Sequence, residues 1–176
     1  MKQNMLLILV TTFICASVFA LAGGGAATSA CARVRSAAGA NSQSAAFGTL
    51  AIRRKFTNST QESITRLRFR VVDLTTTPVE DGAADLRVVG GSGNFNANTS
   101  GGGSTTIERL TLEQPPVRLL GGGFNSTLSA NTITLQQPLA PGASINVEFL
   151  LGEQQDGNYR FLVNVESLSG ANRINR

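Results

Sequence analysis

The chain has no histidine and two cysteines, and these scarcities exclude much chemistry before any motif is sought. Without histidine, Ser-His-Asp and Cys-His nucleophile arrangements and His-containing zinc sites cannot be assembled. Cys15 falls inside an apolar leader, so Cys31 is left without an intrachain partner and the domain beyond must hold together without a disulfide. Helical periodicity is also missing: beyond the leader, no stretch repeats apolar residues at three- and four-residue spacing. Long apolar runs are restricted to one. Met5 to Leu21 follows Lys2 and ends in Ala20-Leu21-Ala22, the charged start, greasy middle and small-x-small end of an export signal. The expectation is a signal peptide over 1–22 and a protein secreted or held at the cell surface. The alternatives are a retained membrane anchor and a lipid anchor on Cys31, which follows the small residues Thr28-Ser29-Ala30.

Past the leader enough chain remains for one domain with a true core. Residues 23–46 are mostly Ala, Gly and Ser, with Val34 their only large aliphatic residue, and are expected to form a flexible linker. An edge-strand contribution to a neighbour's sheet is the functional alternative. From Phe47 the pattern turns to period two. Leu50, Ile52 and Phe56 share a face opposite Arg53 and Lys55; Asn58 to Glu62 supplies turn chemistry; Leu67, Phe69 and Val71 then alternate with Arg66, Arg68 and Arg70. This reads as a hairpin. Shorter strands are expected at 84–89, 105–112 and 129–136, with 90–104 a Gly, Asn and Ser loop. Pro141-Gly142 and Asp156-Gly157 then introduce strands carrying Ile145, Val147, Phe149 and Phe161, Val163, Val165. The fold expected over 47–168 is all-β, an antiparallel immunoglobulin-like β-sandwich of about seven to nine strands, with 169–176 a C-terminal tail. Its core is the twelve apolar residues just named.

Leu139 to Phe149, with its Pro-Gly turn, resembles the penultimate-strand signature of bacterial immunoglobulin-like surface domains. The runs Leu67 to Asp73, Thr111 to Pro116 and Gly121 to Ser126 are similar to an uncharacterised β domain at the C-terminal end of long secreted bacterial surface proteins. The resemblance spans about residues 47 to 168. It implies a structural, adhesive or surface-display role and no transferable catalytic residues.

Two functional expectations follow. The first is a non-enzymatic extracellular structural or display module needing no cofactor or metal, with other surface proteins or copies of itself as partners. The second is a binding module. If the first hairpin pairs, Arg53, Lys55, Arg66, Arg68 and Arg70 form one basic face able to capture acidic polysaccharide or extracellular nucleic acid. Nucleic acid is disfavoured because that face shows no interleaved aromatics for base stacking. Against capture stands an internal network, since Glu148 and Glu166 alternate out of register with their strands' core residues and can pair with those arginines across strands. Paired-carboxylate hydrolysis by Glu108 and Glu113 or by Asp81 and Asp85, nucleophilic use of Ser126, and calcium at Glu80, Asp81 and Asp85 are weaker readings, lacking the spacing each chemistry requires. The Asn58, Asn98 and Asn125 sequons are read as turn chemistry.

Overall fold

A computed structural model describes residues 33–36, 45–76, 83–98, 102–113 and 121–170. The leader, most of the linker, Glu80, Asp81 and residues 171–176 lie outside them. The described chain is all-β, with ten strands and no helix: β1 (Arg33–Ser36), β2 (Gly48–Thr57), β3 (Ile64–Leu74), β4 (Asp85–Val88), β5 (Asn94–Asn98), β6 (Ser104–Arg109), β7 (Thr111–Leu112), β8 (Thr127–Ala130), β9 (Ser144–Gln155) and β10 (Phe161–Ser169).

Two sheets stack around one apolar interior, a β-sandwich arrangement. The larger runs β1-β2-β9-β6-β5, and β4 also pairs β9; the smaller runs β10-β3-β8-β7. β9 is the spine of the larger sheet. From Ser144 to Glu153 it pairs antiparallel with β2, while its other edge is shared by β4, beside Leu151–Gln155, and β6, which runs parallel beside Val147 and Glu148.

The expected hairpin between β2 and β3 does not form. These strands belong to different sheets, and residues 58–63 arch across the sandwich between them. The alternation was sound, but period two fixes which side chains share a face and not which strand lies alongside. Asn58 holds the arch. Its buried amide donates to the carbonyls of Glu62 (2.8 Å) and Leu139 (2.9 Å), and its oxygen accepts from the Thr60 backbone (3.1 Å) and hydroxyl (2.7 Å). The main chain of Asn58 also bonds Ala143 and Gly142, locking the arch to the turn that precedes β9.

Because β2 and β3 face each other, their apolar residues close on a common core. Phe69 lies 4.7 Å from Phe56 and 5.1 Å from Phe149, centroid to centroid, and Phe149 lies 5.5 Å from Phe161. Leu50, Ile52, Leu67, Phe69, Val71, Val147 and Phe149 are buried as expected; Phe56, Ile145, Phe161, Val163 and Val165 pack against them partly open. Leu86, Val88, Leu110, Leu128 and Leu151 complete the interior, contributed largely by strands too short to show a period.

Further expectations change. The strand expected at 105–112 splits at Leu110 into β6 of the larger sheet and β7 of the smaller, and the parallel β6–β9 pairing departs from the antiparallel sandwich expected. Residues 33–36, within the stretch expected to be a linker, form β1 on the edge of β2; backbone pairing to a preformed edge does not require a long apolar alternation. The polar stretch 90–104 contains β5, which pairs β6 from Asn94 to Asn98. The strand expected at 129–136 ends at Ala130, because Glu108 captures the loop beyond it through the Thr132 N–H (3.0 Å) and hydroxyl.

Candidate functional site: the charged faces

Outward-facing charge is the leading candidate the sequence offered, and the arch divides it. Arg53 and Lys55 sit on the larger sheet and Arg66, Arg68 and Arg70 on the smaller one, so the five never share a face. Each face is organised separately.

On the larger sheet, register aligns Arg53, Glu148 and Arg109 across β2, β9 and β6. Glu148 accepts from Arg53 Nε at 2.8 Å and from Arg109 Nε at 3.1 Å. The Phe95 ring of β5 lies 5.1 Å from the Arg53 guanidinium carbon and 4.6 Å from that of Arg109. Aromatic faces attract guanidinium ions, and here the ring holds both cations over the carboxylate they share. The Glu148 side chain is 3% exposed and Arg53 12%, whereas Arg109 remains 45% exposed. Lys55 stands exposed beside this cluster, opposite Asn146. Sequence reasoning missed Phe95 and Arg109. The available signal was Asn94-Phe95-Asn96-Ala97, a short alternation inside a stretch dismissed for its glycines.

On the smaller sheet, Glu166 of β10 lies between two arginines of β3, accepting from Arg68 Nη2 at 3.3 Å and from Arg70 Nε at 2.6 Å. From the other side Glu113, just past β7, takes Arg66 at 3.0 Å and approaches Arg68 at 3.6 Å, while the Ser129 hydroxyl of β8 donates to it. Arg160 pairs with Asp73 at the end of the face. Burial opposes ionisation of Glu113, but the Ser129 and Arg66 hydrogen bonds and the charges of Arg68 and Arg66 together outweigh it and hold its carboxyl below the usual range. The Arg70 guanidinium, bonded to and charge-paired with Glu166, is held more firmly protonated.

The remaining candidates are not brought together. Glu108 is buried against Thr132 and Glu113 lies on the outer face of the other sheet, so they do not form a carboxylate pair. Asp85 is ion-paired with Arg87, and its proposed companions Glu80 and Asp81 lie outside the described residues. Ser126 sits in a tight turn where its backbone bonds Gly123 and Val71. Asn58 is buried with its amide fully committed, and Asn125 occupies a left-handed turn position (φ 68°). Among the described residues no three potential metal-ligating side chains cluster, and no helix is long and apolar enough to cross a membrane. No protein-family model, curated protein or solved structure matches the chain.

Proposed function

We propose that this chain is an exported, non-enzymatic structural or surface-display module, an immunoglobulin-like β-sandwich working outside the cytoplasm. The observation that carries this reading is the use made of the arginines. On each outer face they are bonded to carboxylates of neighbouring strands, so the charge that a capture surface would present to a ligand instead fixes strand register. Cross-strand stitching of both faces suits a domain whose task is to hold shape. The apolar leader ending at Ala22 supports export, and the self-sufficient core supports a protein that must persist outside the cell without a disulfide.

The direct test is expression of the full chain in a bacterial host, followed by fractionation and intact-mass measurement. A product beginning at Gly23 in the extracytoplasmic fraction is expected; a full-length cytoplasmic product overturns the reading. Acidic-glycan capture is separated from it by heparin resin. Elution below about 0.15 M salt is expected, where exposed charges are screened over about 8 Å. Retention at higher salt that Arg66→Ser with Arg68→Ser abolishes would replace display with capture.

A further inference from the structure

Among the described strands the sheet edges at β1, β4, β5 and β7 are short, four, four, five and two residues, whereas β10 ends the smaller sheet with nine, Phe161 to Ser169. A long free edge is a template for another strand, and proteins usually blunt it with proline, lysine or a bulge. β10 has no such device. It contains neither proline nor lysine, and both irregularities in its pairing skip a residue of β3, Val72 or Thr65, leaving β10 itself unbroken. Its side chains are incompletely covered as well. Leu162 and Leu168 are 39% and 59% exposed on the outer face, and Phe161, Val163 and Val165 are only partly buried on the inner one.

We propose that two copies of this chain pair through β10, edge to edge and antiparallel, about a two-fold axis at Val165. The occupant is identified by the pattern itself. Leu162 and Leu168 lie three positions either side of Val165, so this axis sets Leu162 opposite the partner's Leu168, twice, on the same face. Asn164 falls opposite the partner's Glu166, where an amide N–H donates to a carboxylate whose charge Arg68 and Arg70 already balance. Val165 meets the partner's Val165 on the inner face. Moving the axis by one residue in either direction sets the leucines against Arg160, Glu166, Asn164 or Gly170 instead. Only the Val165 axis pairs both leucines. A surface that complements itself in this way is isologous, and the contact closes as a dimer instead of propagating. The result is a continuous eight-stranded sheet with β10 and its copy at the centre. The proposal stands apart from the site of action of the protein, so failure of export would not count against it.

Sedimentation equilibrium of the purified protein is expected to give a dimer, and Leu162→Lys with Leu168→Lys a folded monomer whose circular dichroism matches the parent and whose melting temperature, unlike the parent's, does not depend on protein concentration. The register has its own readout. With Cys15→Ser and Cys31→Ser in place, the double variant Leu162→Cys, Leu168→Cys is expected to oxidise to a covalent dimer, and neither single variant to do so. A parent that sediments as a monomer, a lysine variant that stays dimeric, or crosslinking by one cysteine alone overturns the proposal.

Discussion

Phe69 touches both neighbours on which the sandwich depends, Phe56 and Phe149 of the opposite sheet, and is itself fully buried. Replacing it with alanine removes the transfer energy of the ring and leaves a cavity that two stiff sheets cannot close. Phe69→Ala is therefore expected to lower unfolding free energy by about 3 to 5 kcal/mol in urea titration. Asn58 is a polar counterpart. Its buried amide donates to the Glu62 and Leu139 carbonyls, which also accept from the Thr60 hydroxyl and the Ile64 N–H, and its oxygen anchors Thr60, so truncation removes four hydrogen bonds from the arch at once. Asn58→Ala should cost at least about 2 kcal/mol, measured in the same way. Asn58→Asp should recover little of it, because a carboxylate cannot donate to either carbonyl.

At the scale of strands and faces, the two salt clusters differ in depth and so in worth. Glu148 is sealed beneath Phe95 between two guanidiniums; its loss leaves Arg53 buried without its counter-ion. Glu148→Ala is expected to cost about 3 kcal/mol or more, since breaking a buried pair strands a charge. Arg109→Ala should cost only about 1 kcal/mol, because that partner remains half exposed. On the other face the depressed carboxyl of Glu113 gives a pH dependence with a definite sign. A folded-state pKa below the unfolded one contributes stability that is complete above the ordinary value of 4.5 and is lost as pH falls through the lower folded value. Melting temperature should therefore drop on acidification below pH 4.5, and Glu113→Gln should shallow that drop while lowering the neutral-pH plateau. Much at this scale was legible. β2, β3, β9 and β10 each carry a sustained alternation, and the pairing of Glu148 and Glu166 with the arginines was foreshadowed by their position out of phase with the core residues. β5 left only a faint trace, because Asn-Phe-Asn-Ala-Asn has one large apolar residue, and that residue covers arginines on the outside of a sheet instead of entering the core. β8 was misplaced because Ile133 and Leu135 prolong its alternation in a loop that Glu108 holds by hydrogen bonds no periodicity can register.

For the molecule as a whole, what the sequence could not disclose was strand adjacency, and adjacency governs how the chain must fold. Two neighbouring strands joined by a turn read as a hairpin on local grounds; here β2 finds its partner in β9, so that Arg53 and Glu148 meet across 95 residues of sequence. β3 likewise pairs β10, with Arg68 and Glu166 98 residues apart. Both pairings need the long intervening chain closed before any ladder energy is gained, and the arch of residues 58–63 contributes no strand pairing of its own to nucleate it. Folding rates fall as contacts become less local, and sandwiches dominated by distant pairings fold in milliseconds to seconds. Stopped-flow refolding should accordingly give a rate on the order of 1 to 100 per second. Core contacts between β2, β3 and β9 must be present when the chain commits. Phe149→Leu is then expected to slow refolding by a larger factor than it speeds unfolding, whereas Val163→Ala on the open edge strand should act mainly on unfolding. Microsecond refolding would overturn the argument from distant pairing, and a Val163→Ala effect confined to the refolding arm would show that assembly begins from β10 instead of from the β2–β9 ladder.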